Sequence, residues 1–588
     1  MSSITEKQMI SEEPFNSSHA VDNMEIEVID KAEDDEVEKG NLIYGITERP
    51  PWLVAVIMAL QHFSANFNGC LVIPFLLSRN LCFDKDPALL TQLIATAFFV
   101  SGISTLLQII FGSRLPIIQG PSAAFIVPAL SMLQVKGDCP AAITANSTQE
   151  ERHMLKEEAY SRIRELQGAV LVSALIQILI GVTGLVGILL KFIGPITIAV
   201  TLIMIGFGVF PLASNFVGAH WCISLPTIAL VIIFSMILSK WKVPLPGGRR
   251  FRIFAFFPMI LAIAIMWTIC AILTACEVFP DDSSVYGYAA RTDLKMDNLR
   301  NSPWVSFPYP CQFGWPTFNL AGIVGTFSAI LVSILDSVGD YHGCAQVSNA
   351  PPPPDHAVNR GIAVEGIGGF IAAIWGLGVG VASYSSDIAL LSLTKVASRS
   401  VLIGSGLIYC LVAFCTKISA FLSGIPKPIL GVAGIPIGMI TAIGITNFSH
   451  VKIESNRNLL IVGVSLFLAV GIPDYLKQHP LSIKTGSTTV DQLLGVLLLN
   501  GMLIGAVVSA TLDLIIPGTA EEKGRHWRDH VDLEDGNENR KFQETYSVYD
   551  LPFWMKWIKR SKILSKIPIS PTFRMPVKSD EFVPIHSD

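Results

Sequence analysis

Apolar stretches long enough to cross a bilayer recur from residue 52 to residue 515, and this recurrence restricts the chain to very few folds. A helix needs roughly 20 apolar residues to traverse the hydrocarbon core. Such stretches fall at 52–78, 91–113, 115–133, 167–190, 192–217, 221–239 and 254–276. They continue at 316–340, 361–379, 380–396, 400–424, 427–447, 458–475 and 491–515. In lipid every backbone N–H and C=O must be satisfied inside the protein, which leaves helices as the spanning element. Composition agrees, with 51% hydrophobic and 15% charged residues, where soluble domains carry about 25% charge. The expected fold is an all-α polytopic membrane protein of fourteen spans, with the lipid bilayer as its solvent.

Three regions follow. Residues 1–45 read as a disordered acidic tail, since positions 1–40 hold 12 acidic and 3 basic residues without apolar period. No cleavable signal is expected there. Residues 46–515 form the transmembrane domain, and 516–588 a C-terminal tail whose Trp, Ile and Lys mixture suits a membrane surface. Lysines and arginines near helix ends set orientation. Lys240, Lys242, Arg249, Arg250 and Arg252 crowd one short loop, which places that loop and both termini in the cytoplasm. Loops 134–166 and 277–315 then face outward, and Asn146 in Asn146-Ser147-Thr148 becomes the expected glycosylation site. Cys276 and Cys311 flank one outer loop and are a candidate disulfide pair, with the remaining cysteines read mainly as buried thiols.

Four acids interrupt the apolar pattern within some fifty residues: Asp336, Asp340, Glu365 and Asp387. An ionisable residue at membrane depth is costly and marks a pathway for an ion or polar solute. Asp336 and Asp340 are spaced i,i+4 and share a helix face, where a bound cation such as Na+ or a proton would relieve their repulsion. Glu365 reads as a direct ligand or a structural hydrogen-bonding acid, and Asp387 as a cap, a contact or both. Splitting the spans into seven and seven suggests two inverted repeats, whose matching third spans are broken by Gly and Pro. These are LPIIQGPSAAFIVPAL at 115–130 and GLGVGVASYSSDIALLSLTK at 376–395. Each is expected to be irregular backbone leading into a half-helix and lining a cavity. In the first span Gln61 and His62, followed by Asn66 and Asn68, occupy the position matching Asp336. His62 reads either as a satisfied interior histidine or as a contact to substrate. No phosphate loop, HExxH, CxxC or GxSxG is found, so enzymatic or ATP-driven function is not expected.

The stretch ILDSVGDYHGCAQVSNAPPPPDHAVNR at 334–360 resembles the nucleobase–ascorbate transporter family, and within it the animal sodium-dependent vitamin C transporters. The similarity continues through QHF at 61–63, RIRELQGA at 162–169, SPWVSFPYPCQFG at 302–314, GIAVEGI at 361–367, LTKVASR at 393–399 and PGTAEEKG at 517–524. The resemblance implies core and gate domains, short extended segments before the half-helices of spans three and ten, a homodimer in the plasma membrane, no nucleic-acid partner, no cofactor, and sodium-coupled uptake of a small molecule by an elevator-like motion. It implies substrate contacts from Asp336, Asp387, Ser386, Ser122, Ala123, Phe125, His62 and Gln61, with Asp340 and Glu365 in cation or proton coupling. The span-ten signature departs, however: its defining positions read Ser386, Asp387, Ile388 and Ala389, with Asp387 in place of a neutral asparagine. An added carboxylate near Asp336 disfavours an anion, since a charge pair at 4 Å interacts by roughly 4 kcal/mol at an effective dielectric of about 20. Whole-chain similarity favours ascorbate, while this local charge favours a neutral purine or pyrimidine. A receptor-like member without transport is the third reading.

Overall fold

A computed structural model describes residues 42–83, 86–140, 149–244, 250–251, 253–282, 285–479, 482–519, 521–524, 546–552, 555, 558, 561 and 564–573. Asn146, residues 1–41, Arg249 and Arg252 lie outside the described residues. The helices are α1 (Trp52–Ser78), α2 (Pro87–Ile110), α3 (Ile126–Lys136), α4 (Gln149–Thr183), α5 (Pro195–Gly218), α6 (Trp221–Ile232) and α7 (Pro258–Ala275). They continue with α8 (Leu320–Val347), α9 (Asp355–Trp375), α10 (Ser385–Thr394), α11 (Arg399–Phe414) and α12 (Thr416–Ser423). The last are α13 (Gly434–Thr446), α14 (Asn456–Gln478), α15 (Thr488–Leu499) and α16 (Gly501–Ile515). Two strands, β1 (Gln119–Pro121) and β2 (Val381–Ser383), precede α3 and α10. Among the described residues nine helices are long and apolar enough to cross a membrane, and up to eleven if each bent pair counts as one span. The chain is a multi-pass, mainly helical membrane protein.

Local sequence explains the helix ends. Asp86 caps α2, its carboxylate accepting from Ala88 N at 3.0 Å and Leu89 N at 3.1 Å, with Pro87 at the first turn where its missing N–H costs nothing. Asn319 caps α8 through Ala321 N at 3.0 Å. Two apolar spans are sharply bent, α11 into α12 by 81° and α15 into α16 by 75°. At the second bend Asn500 accepts from Leu503 N at 3.2 Å, so its side chain restarts the helix.

The helices pack in two groups. In one, α9 lies on α4, α11 on α1 and α2, and α8 on α3 and α4. In the other, α13 and α16 lie on α5, and α14 on α16. Polar groups make specific crosslinks inside the first, such as Ser173 Oγ with Thr326 Oγ1 at 2.7 Å between α4 and α8.

Several expectations are corrected by the fold. Residues 149–166 are not loop but the N-terminal part of α4, where Arg162 pairs with Glu158 at 2.8 Å and Glu165 with Lys136 at 3.0 Å. Cys276 and Cys311 are free thiols, and the disulfide joins Cys82 to Cys139 instead. Arg162 brings the two cysteine-bearing segments together, donating to Asn80 O at 3.0 Å and Gly137 O at 3.0 Å. Lys417 Nζ donates to Leu299 O at 2.5 Å and Arg300 O at 2.9 Å. Residues just ahead of position 46 bond to the membrane domain. Ile43 N donates to Lys395 O at 2.9 Å, and Ala397 N to Tyr44 O at 2.9 Å. Part of the C-terminal tail folds back as well. Arg360 Nη2 donates to Tyr549 O at 2.7 Å, Arg399 Nη2 to Val548 O at 2.5 Å, and Tyr549 Oη to Pro351 O at 2.5 Å.

The disulfide joins residues 57 positions apart, a closure that restricts the unfolded chain by about 4 kcal/mol at most. Cys139→Ser is expected to lower the unfolding temperature of the detergent-solubilised protein, whereas Cys276→Ser and Cys311→Ser leave it unchanged. Thermal melts of the three variants, with and without reductant, check this.

Candidate substrate site at the crossing of two broken segments

The two Gly- and Pro-interrupted segments meet each other. β1 and β2 pair antiparallel, with Gln119 opposite Ser383, Gly120 opposite Ala382 and Pro121 opposite Val381. Ser122 N donates to Gly380 O at 2.9 Å and Tyr384 N to Ile118 O at 3.1 Å, extending the ladder at both ends. This pairing satisfies backbone that a helix would otherwise have satisfied. Glycine is required beside it: a Cβ at Gly69 or Gly120 would collide with the Tyr384 hydroxyl. Side chains lock the crossing further, through Gln119 Nε2 to Ser383 Oγ at 2.8 Å and Gln119 N to Thr105 Oγ1 at 2.9 Å.

A cavity of 1150 Å³ opens against this crossing. Its polar end carries Asn66, Asn68, Ser122, Asp336, Ser383 and Ser386. Its other wall is apolar and comes from the second helix group, including Ile205, Ile437 and Met439, and it extends to Ile43 and Lys240. The site is therefore shared between the two groups.

The expected site residues divide into wall and support. Ser122, Ala123, Asp336 and Ser386 stand on the cavity wall. Asp387 is fully buried behind it and uses both carboxylate oxygens within the protein. His62 Nδ1 lies 2.6 Å from Oδ1, Asn66 Nδ2 donates to Oδ1 at 3.2 Å, and Ile118 N to Oδ2 at 3.2 Å. The carboxylate that argues against an anionic ligand is thus met by three donors out of the cavity. His62 is a satisfied interior residue on its Nδ1 side and, like Asp387, has no side-chain exposure. Phe125 lies behind the wall, where its ring covers Gly380. Gln61 is buried next to His62 and its side-chain amide has no protein partner.

Glu365 is buried and hydrogen-bonded on both carboxylate oxygens. Its Oε1 accepts from Ser337 Oγ at 2.8 Å and Ser383 Oγ at 3.2 Å, and its Oε2 from Gln177 Nε2 at 3.4 Å. It ties α8, α4 and β2 to α9. Asp340 lies one turn from Asp336 on α8, buried, with Oδ2 lacking a hydrogen-bond partner. Among the described residues no group of three or more His, Cys, Asp or Glu is placed to hold a metal ion.

Asn66 was within reach of the sequence: it lies four residues after His62, so one helix face carries both to Asp387. The roles of Ser383 and Tyr384 depend on the ladder between segments more than 250 residues apart, for which the sequence carries no local signal.

Comparison with known proteins agrees with this architecture. The Permease family, Xan_ur_permease, matches residues 53–478. Human solute carrier family 23 member 2 is 42% identical, covering 93% of this chain and 85% of its own. The chain belongs to the nucleobase–ascorbate transporter family. Mouse solute carrier family 23 member 1 is 40% identical over 91% of this chain and 90% of its own. Nucleobase-ascorbate transporter 11 of Arabidopsis thaliana is 30% identical over 84% of this chain and 73% of its own. The chain is a transporter of the solute carrier type and not an enzyme.

Removing His62 would strand the Asp387 carboxylate, and breaking a buried pair typically costs about 3–5 kcal/mol. His62→Ala is expected to reduce the folded protein at the cell surface severalfold. Combining it with Asp387→Asn, which removes the stranded charge, should recover most of that loss. Surface biotinylation of the single and double variants tests the coupling.

Proposed function

We propose that this protein is a sodium-coupled symporter that imports ascorbate across the plasma membrane. The observation that carries the reading is the cavity whose polar end is built jointly by the β1–β2 crossing and Asp336 of α8. Ascorbate is preferred over a neutral nucleobase for two reasons. Asp387, the residue that departs from the family signature, has its charge satisfied behind the wall. The resemblance of the whole chain to the animal sodium-dependent vitamin C transporters is the second.

Asp336 is the ligand-facing acid, and Asp340 one turn away is the coupling acid. Two carboxylates on one helix face repel one another, and a sodium ion between them removes that repulsion. Cation binding then prepares the site for a monoanionic ligand, and release of the cation expels it. This coupling makes the anion's affinity depend on sodium. Because the cavity wall is shared, displacement of the helix group bearing α1, β1, α8 and α10 past the group bearing α5 and α13 would carry the ligand from one face to the other. That is an elevator-type cycle, and the fourteen spans as seven-plus-seven inverted repeats supply it with two symmetry-related end states. A homodimer holds the second group still, with both termini in the cytoplasm and Asn146 glycosylated outside.

The test is uptake of labelled ascorbate, uracil and xanthine into cells, with sodium replaced by choline. Sodium-dependent ascorbate uptake is expected. Sodium-independent uptake removes the coupling, preferential uracil or xanthine uptake selects the nucleobase reading, and no uptake with confirmed surface protein selects a receptor-like role. Asp336→Asn is expected to abolish uptake at near-normal surface level. Asp340→Asn is expected to raise the sodium concentration for half-maximal uptake while leaving substrate preference alone, read from sodium titrations.

A further inference from the structure

Around Ser386, at the polar end of the cavity, several amide and hydroxyl protons are spent inside the protein. Asn66 spends both amide hydrogens inside the protein, on His62 O at 3.1 Å and Asp387 Oδ1 at 3.2 Å. These are obligate acceptors, so the amide orientation is determined and its Oδ1 faces Ser386. An amide oxygen only accepts, so the Ser386 hydroxyl must donate, and it does so at 2.6 Å. Ser386 is left with lone pairs toward the cavity. Ser383 is spent in the same way, donating to Glu365 Oε1 at 3.2 Å while accepting from Gln119 Nε2 at 2.8 Å. Tyr384 Oη donates to Pro121 O at 3.2 Å. The Asp336 carboxylate adds two more acceptors to the same wall.

We propose that Ser386 meets the ligand as a hydrogen-bond acceptor, and that Asp387 is the positioning residue that sets this polarity through Asn66. The proposal rests on the transporter reading above and adds to it a rule for the ligand. A molecule bound here must bring O–H or N–H groups to Ser386 and Asp336. One that lacks the matching donor leaves a desolvated acceptor, which costs far more than the hydrogen bond gains. A polyhydroxylated acid or an N–H-bearing lactam meets the rule, and an alkylated or deoxygenated relative does not. An asparagine at 387 cannot reproduce it. Asp387 accepts from His62, Asn66 and Ile118 at once, whereas an amide would turn its own N–H₂ toward one of those donors and loosen Asn66.

The test compares uptake of ascorbate with that of its 5-deoxy and 6-deoxy analogues, and of uracil with its N-methyl derivatives. It uses full-length wild type, Ser386→Ala and Asp387→Asn at matched surface level. In the wild type at least one analogue lacking a donor is expected to show a KM raised about tenfold. Ser386→Ala should bring that one ratio close to one while ratios for other positions persist, and Asp387→Asn should lower the same ratio part of the way. A general structural defect would instead lower maximal uptake of all compounds equally and leave every ratio as it was. Ser386→Ala that retains full discrimination against every analogue overturns the proposal while leaving the transporter reading intact, as does equal KM for all analogues in the wild type. Surface-expressed wild type that takes up neither class overturns the transporter reading and this proposal with it.

Discussion

The antiparallel pairing of Gln119–Pro121 with Val381–Ser383 is the contact on which the rest of the site depends. Both segments interrupt the helical hydrogen-bonding that a membrane demands, and either alone would leave N–H and C=O groups without partners in a medium that offers none. Together they satisfy one another. Their pairing fixes where α3 and α10 begin, where Ser122 and Ser386 stand, and where Tyr384 crosses the small residues Gly69 and Gly120. A cavity with polar contents can exist at this depth because its irregular backbone is already bonded before any ligand arrives.

The four interior acids are handled in two ways. Asp387 and Glu365 each receive three hydrogen-bond donors from surrounding helices and from the two crossing segments, and they tie those elements together. Asp336 and Asp340 do not: one stands on the cavity wall and the other retains an oxygen without a partner. A buried carboxylate with its acceptors filled holds structure, whereas one with acceptors to spare has capacity for something that comes and goes. The same carboxyl chemistry is therefore placed in two settings within one group of helices.

Both ends of the described chain grip the helix group that bears the broken segments. Ile43 and Tyr44 bond to residues 395–397 just after α10, and Val548 and Tyr549 are clamped by Arg399 and Arg360. The stretch following α16 holds to the other group instead, through Ser455 Oγ to Glu522 Oε1 at 2.5 Å and Asn458 Nδ2 to Glu522 O at 2.9 Å. Mean hydropathy identifies none of these contacts, because each uses backbone carbonyls or single side chains outside the apolar stretches.

Much was legible before any coordinates. The long apolar stretches state a helical membrane protein, because hydrocarbon permits little else. The glycines and prolines near 116–128 and 376–380 mark where helices must break, and the acids at 336, 340, 365 and 387 mark the region of chemistry. What the sequence could not decide was which acid stands on the cavity wall and which is engaged inside the protein. Asp387, read as a cap, a contact or both, is a partner of His62, 325 positions away. Cys139 finds Cys82 rather than Cys276 finding Cys311, because Arg162 draws those two turns together. Composition and period act over a few helical turns, so the chain alone determines spans and breaks. The pairing of donors with acceptors across hundreds of residues depends on how those spans pack, and only the tertiary structure decides it.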